Sequence, residues 1–322
     1  MLYLNGNEIM QAISTDEVME AVADAYVLFD KGTCYIPDRA FFAHGGNKMI
    51  YMPCFAPDAL ITKILSFFPE NYKKGKPTLD GVVLWKDPES GEILSIMDAK
   101  KITALRTGAA AGLAVRYLSD PGSKRLGIVG TGMQGLHLAM FASTVRQIEE
   151  IFLYDTFRKE ADTFANDLEK LLGRRVKCTL CGDASELLQK SEIVITATTS
   201  TQPVLPNDPA LLADKCFVGV GSYSPSMREY PAALWNVVDT AYADLEYAME
   251  ESGDLSQPIK EGLLKPEQVH KISTLLGGSV TPPYKGKSNF FKTVGMSLVG
   301  LTTAAAVYKN AKKREIGQAI QG

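Results

Sequence analysis

An α/β protein is predicted, with a Rossmann doubly wound parallel sheet beside a mixed α+β domain, and three observations carry that expectation. The middle of the chain alternates apolar strand-like runs with helical ones, the rhythm of a parallel sheet covered by helices on both faces. A GxGxxG turn formed by Gly130, Gly132 and Gly135 stands between the first of those runs and the first of those helices. Ahead of it, residues 35–99 break into short β-rich runs instead of alternating with helices.

The chain has 322 residues, 46% of them hydrophobic, which exceeds the commonest single-domain size and leads us to expect two domains. A formal charge of -3 from 34 basic and 37 acidic residues gives no one-signed field to attract nucleic acid or an anionic membrane, so a small-molecule partner is expected. No charged and apolar leader follows Met1, and the apolar stretches "LVGLTTAAAVY" and "IVITAT" are too short to span a bilayer. A soluble, cytoplasmic protein is the expectation. The five cysteines, Cys34, Cys54, Cys178, Cys181 and Cys216, are odd in number and read as reduced thiols. "CTLC" has CxxC spacing but lies in a strand-like run with no second pair, so no metal site is expected.

In chain order, "STDEVMEAVADAYVLFDKG" predicts an amphipathic helix, with Ser14 and Glu17 in capping-box spacing and Gly32 as the stop. "NKMIYMPCF", "LITKILSFF", "DGVVLW" and "EILSIMDA" predict strands, the last two joined by a turn at "KDPESGE". "ITALRTGAAAGLAVRYL" predicts a helix rich in small residues, and "SDPGSK" after it reads as an interdomain linker. The boundaries that follow are 1–119 with 296–322 for one discontinuous domain and 120–295 for the other, because "GMSLVGLTTAAAVYKNAKK" reads as a helix returning to the first.

The glycine turn predicts a dinucleotide site. Gly130 makes the tight turn, Gly132 admits a pyrophosphate to the backbone, Gly135 permits close helix packing, and the helix N-terminus offers its N–H groups to phosphate. The run "IFLYD" ends at Asp155, about 20 residues beyond Gly135, where a carboxylate accepts the adenine-side ribose hydroxyls. Asp155 favours NAD as cofactor, while Arg158 could pair with the 2′-phosphate of NADP and keeps that choice open.

With these features in view the chain resembles the ornithine cyclodeaminase and mu-crystallin family, which includes alanine dehydrogenases and ketimine reductases. The blocks that carry the likeness are "MPCF", "TKILSFFPEN", "GKPT", "IMDAKKITALRTGAAAG", "GIVGTGMQG", "ITATTS", "GVGSYSPSMRE" and "FFKTVG". The resemblance implies that the mixed domain binds substrate and dimerises, giving a homodimer, with the Rossmann domain holding the cofactor. It places Arg39, Lys63 and Arg106 around the substrate, Arg106 also beside the cofactor, and makes Lys63 the catalytic residue. Guanidinium groups can hold a carboxylate bidentately, and a lysine near a C=N bond can supply a proton. Thr78, Met133, Gln134 and Thr198 match positions lining the dinucleotide, and Val294 and Gly295 match backbone that closes on the substrate. Asp98 either orients Lys63 or Arg106 or caps the following helix, and His137 reads as a helix-face residue.

One position departs from the pattern. Family members that cyclise ornithine carry an aspartate where this chain has Tyr223, and a phenol with an ordinary pKa near 10 neither neutralises a second ammonium group nor accepts its proton at neutral pH. The expectation is therefore hydride transfer between a nicotinamide and the α-carbon of a small imino or amino acid, such as a pyrroline or piperideine carboxylate, with Tyr223 shaping the side-chain pocket. Ornithine cyclodeamination, with Glu229 or Asp98 as substitute base, and alanine dehydrogenation are alternatives within the family. A dinucleotide-dependent ligand-binding protein is the alternative of another class.

Overall fold

The computed structural model describes residues 1–157, 161–277 and 287–320. It forms two compact units, one of Met1–Arg106 with Met296–Gly322 and one of Thr107–Gly295. The first is mixed α+β and the second a doubly wound α/β sheet, the two classes expected.

The first unit runs β1 (Leu2–Leu4), α1 (Gly6–Ala12), α2 (Thr15–Asp30), β2 (Ala40–His44), β3 (Asn47–Ala56), β4 (Ala59–Phe67), β5 (Leu79–Lys86), β6 (Ile93–Asp98) and the start of α3 (Ala99–Leu118). Helix α2 begins as its sequence dictates: the Ser14 hydroxyl accepts the Glu17 N–H, and the Glu17 carboxylate accepts the Ser14 N–H in return. Gly32 follows its end with φ +65, a conformation open to glycine. Between β5 and β6, Asp87 accepts the N–H groups of Glu89 and Ser90 and closes the anticipated turn.

Among the described residues of this unit the strands make a seven-stranded sheet, ordered C-terminal strand Gln318–Ala319, β1, β6, β5, β4, β3, β2. Strands β2 to β6 pair antiparallel, and β1 joins β6 in parallel while receiving the C-terminal strand on its other edge. Alternation sends Ile61, Lys63 and Leu65 of β4 to the same face as Met52 and Cys54 of β3 and Val83 and Trp85 of β5, all buried. The C-terminal helix Ser297–Lys313 packs on α2 and on β3, β4 and β5, so the chain returns to its first unit. Tyr51, Leu60, Ile64, Val82, Leu84 and Ile96 occupy the other face and are half-buried.

The second unit continues with β7 (Arg125–Val129), α4 (Met133–Val145), β8 (Glu150–Tyr154), α5 (Ala161–Leu172), β9 (Lys177–Leu180), α6 (Ala184–Lys190) and β10 (Ile193–Thr196). Then come α7 (Pro209–Leu212), β11 (Cys216–Gly219), β12 (Ala241–Ala243), α8 (Ala248–Glu251), α9 (Gly253–Lys260), β13 (Val269–Lys271), α10 (Ser273–Leu276) and β14 (Asn289–Lys292). Its strands are parallel throughout, in the order β13, β12, β14, β11, β10, β7, β8, β9. Chain direction across the sheet reverses between β7 and β10, which makes the crevice beyond their C-terminal ends the place for a ligand.

The division between the two compact units falls inside α3, between Arg106 and Thr107, whereas the boundary expected from the sequence stands at "SDPGSK". Packing explains the shift: a Cβ on Gly108 would lie 2.3 Å from Phe141 of α4, so the second half of α3 is pressed onto the Rossmann unit. The Arg146 guanidinium donates to the carbonyls of Val115, Arg116, Ser119 and Asp120 and holds the end of α3 there. "SDPGSK" is the stop of a docked helix. Among the described residues no helix is long and apolar enough to cross a membrane.

Candidate active site

The glycine turn connects β7 to α4, and each glycine has its own steric reason. Gly130 has φ +93, and a Cβ there would meet the Ala197 carbonyl oxygen at 2.6 Å. Gly135 has no room either, since its Cβ would lie 2.1 Å from the Gly130 carbonyl oxygen. Gly132 differs: a Cβ on it would find nothing within 4 Å, and it caps α4 without any side-chain hydrogen bond. Open space at a bare helix N-terminus suits a pyrophosphate, which needs close approach to unpaired N–H groups. Gln134, in the first turn of α4, adds a buried side-chain oxygen with no hydrogen-bond partner among the described residues. Such an orphan acceptor fits a ligand that brings a donor. Met133 beside it is exposed.

Asp155 follows β8 as expected and carries a duty that its position alone did not reveal. One carboxylate oxygen accepts the N–H and hydroxyl of Thr131, at 2.8 and 3.0 Å, and the other accepts the Phe157 N–H at 2.9 Å. The end of β8 is thereby tied to the glycine turn. Arg158 lies outside the described residues. Thr198, beyond β10, adjoins the turn from the other side, with its methyl group 3.2 Å from where a Gly130 Cβ would stand.

In the first unit, Lys63 is 5% exposed at the middle of β4. Burial, then the positive charges of Arg106 and Arg39, hold its ammonium well below the ordinary lysine range. Three cations therefore converge without a carboxylate on Lys63 among the described residues, an arrangement that favours an anionic ligand. Asp98 does not supply one to Lys63: its carboxylate accepts the N–H groups of Lys100 and Lys101 at the start of α3, the capping role. Thr78 shares this unit, where its carbonyl accepts the Phe68 N–H at 2.8 Å.

The remaining candidates sit beyond the strand ends of the second unit. Tyr223 is 51% exposed on a loop that is bolted down on both sides. The Ser222 hydroxyl donates to the Met227 carbonyl, the Gly253 N–H to Ser224, and the Gln257 amide to Pro225. Val294 and Gly295 follow β14, and both N–H groups donate to one oxygen of Asp244, which also accepts the Thr293 hydroxyl. Behind these loops lies a second buried charge group. Glu229 accepts Thr198 on one oxygen and the N–H groups of Gly221 and Ser222 on the other, while Asp254 accepts the N–H groups of Glu229 and Tyr230 and an ion pair from Lys292. Burial and the neighbouring Asp254 push the Glu229 carboxyl up, and Lys292 opposes them.

Asp244, Asp254 and Lys292 escaped sequence reasoning, although a lysine inside the apolar run "FFKTV" is a legible sign of a buried ion pair. His137 is a buried helix residue whose Nδ1 lies 2.9 Å from the Met133 carbonyl oxygen one turn back. In "CTLC", burial raises both thiols, Cys178 to about 11, which disfavours the reactive thiolate form.

A parallel sheet with a glycine cradle at its switch point, together with a cation cluster suited to a carboxylate, defines a nicotinamide-dependent oxidoreductase of amino or imino acids. The chain belongs to the ornithine cyclodeaminase/mu-crystallin family, which it matches over residues 2–315. It is 32% identical to a Delta(1)-pyrroline-2-carboxylate reductase of Bacillus cereus, over the whole of both chains. Among solved structures it is similar to the Delta(1)-pyrroline-2-carboxylate reductase of Thermococcus litoralis in complex with NADH and L-proline. The TM-score is 0.90 and the identity 30%, covering 99% of this chain and 100% of that one. It is also similar to an archaeal alanine dehydrogenase dimer with bound NAD, with TM-score 0.86 and 25% identity over 100% of this chain and 99% of that one.

Proposed function

We propose that the protein reduces a small cyclic imino acid, of the Δ1-pyrroline-2-carboxylate kind, to the corresponding amino acid with NADH. The observation that carries this reading is Lys63, buried and held below the ordinary lysine range by Arg106 and Arg39. Arg39 and Arg106 hold the substrate carboxylate, whose negative charge offsets the repulsion among the three cations. Lys63, with a weakened hold on its proton, donates it to the ring nitrogen, because a protonated C=N accepts hydride far more readily than a neutral one. A bound reduced nicotinamide supplies the hydride to the α-carbon. Tyr223 borders the side-chain pocket as a neutral group and suits a ring that has no distal amine.

Two carboxylates that could rescue ornithine cyclodeamination are committed elsewhere, Asp98 to the start of α3 and Glu229 to Thr198, Gly221 and Ser222. Asp155 supports NAD over NADP, because a 2′-phosphate would meet its like charge. The half-buried apolar face of the first sheet supports a homodimer, in which it would be covered by a second copy. Five cysteines free of disulfides fit a cytoplasmic setting.

The test is loss of nicotinamide absorbance with NADH, and separately NADPH, on a panel of pyrroline and piperideine carboxylates. Rapid oxidation of NADH with one of them is expected. No oxidation with any, joined to ammonia release from ornithine or NAD reduction by alanine, would overturn the reading in favour of that activity. A monomeric mass in solution at working concentration would overturn the dimer.

A further inference from the structure

We infer that Glu229 is a positioning residue that couples Thr198, on the dinucleotide side, to the loop that presents Tyr223. The inference rests on the proposed use of the glycine cradle for NADH and of Tyr223 for the substrate pocket. The Glu229 side chain is fully buried, and its two oxygens serve the ends of two different strands. One accepts the Thr198 N–H at 2.7 Å and the Thr198 hydroxyl at 2.9 Å, just beyond β10. The other accepts the N–H groups of Gly221 at 2.8 Å and Ser222 at 3.3 Å, just beyond β11, immediately before Tyr223.

The two strand ends are pressed together around this carboxylate. A Cβ on Gly221 would lie 2.1 Å from the Thr198 carbonyl oxygen and 2.5 Å from Glu229 Oε1, so only glycine fits the wedge. Donors approach both oxygens, and only a carboxylate accepts at both; a glutamine would turn its NH2 against one pair of donors. From behind, Asp254 fixes the backbone of Glu229 through its N–H at 2.6 Å, and Lys292 pairs with Asp254 at 3.0 Å with both side chains fully buried. A displacement at Thr198 therefore reaches Tyr223 through one rigid group.

Glu229→Gln tests the coupling, with NADH binding followed by fluorescence titration and the imino acid KM measured at saturating NADH. Both are expected to weaken, each by about 10-fold or more, as befits loss of a hydrogen bond to a charged group. A variant with a lower melting temperature but unchanged NADH affinity and KM in its folded fraction would reduce Glu229 to a scaffold residue and overturn the inference. If Glu229→Gln does not fold, Thr198→Val removes the hydroxyl, which donates to Glu229 and accepts the Ser200 N–H, and leaves the Thr198 N–H in place. It should weaken NADH binding and also raise the imino acid KM, and a change confined to NADH would refute the coupling. Failure of the wild-type protein to bind NADH in the same titration would refute the reading of the cradle itself, separately from the behaviour of Glu229.

Discussion

The two units treat buried charge in opposite ways. In the first, Lys63 is buried with Arg106 and Arg39 as its electrostatic neighbours, and like charges reinforce the cost of burial. In the second, Glu229, Asp254, Lys292 and Asp244 are as deeply buried, yet donors surround every carboxylate and a lysine balances Asp254. Carboxylates saturated with donors hold loops in place, whereas a lysine buried beside like charges suits the proposed binding of a substrate carboxylate. Burial alone would have marked both as functional. The difference lies in what surrounds each charge.

Substitutions separate the two kinds of cluster. Lys63→Ala should lower kcat by about 100-fold to 10,000-fold, the range of lost general acid catalysis, and leave NADH affinity nearly unchanged. Steady-state kinetics beside an NADH titration checks this, and equal loss in both would make Lys63 a support for the cofactor instead of a proton donor. Lys292→Met should act on stability: it leaves the buried Asp254 carboxylate without its counter-ion, and urea unfolding should show a loss of about 3–5 kcal/mol.

The glycine cradle offers a smaller and sharper contrast within one motif. Gly132→Ala should fold normally, because its Cβ meets open space, and should weaken NADH binding about 10-fold by occupying that space. Gly135→Ala should instead destabilise the fold, because its Cβ would lie 2.1 Å from a backbone oxygen. Thermal melts and NADH titrations of both variants decide the matter, and a Gly132→Ala enzyme with wild-type affinity would place the phosphates elsewhere.

The smallest effect is one of pH. The folded-state pKa of Lys63 lies below its ordinary value of 10.5, so between those two values the unfolded chain binds more protons and stability rises with pH. Below the lowered pKa both states are protonated and the full cost of the buried charge is present. Lys63→Met removes that cost. Its stability advantage over the wild type should vanish above 10.5, grow as pH falls through the window, and then level off. Paired unfolding curves across that range would show it, and an advantage independent of pH would mean that the folded state holds the Lys63 proton as tightly as the unfolded chain does, with no lowering of its pKa.

Much of this was legible before any coordinates. Ser14 and Glu17 announce their helix because a capping box acts over three residues, and the alternation after Gly130 announces a parallel sheet because strands buried on both faces must be apolar. The three glycines marked the cradle because backbone conformation and close approach are local demands. The family likeness implied that Lys63, Arg39 and Arg106 act together, but only the fold showed that burial and those two like charges hold the Lys63 ammonium down, with no carboxylate on it among the described residues. The division inside α3 is not legible in the sequence for a related reason. "SDPGSK" has the composition of a linker, and nothing local to it reports that Gly108 is pressed against Phe141 or that Arg146 grips the end of α3.

Local chemistry was thus settled by the order of residues: turns, caps, strand alternation and the charge types available to a site. Tertiary structure settled which charges are compensated. Asp244 reaches Thr293, Val294 and Gly295, and Glu229 reaches back to Thr198, across separations that no short-range pattern encodes. Hydrogen bonding and desolvation depend on distance in space, and residues far apart in the chain become neighbours only when the parallel strands bring their ends to one edge of the sheet.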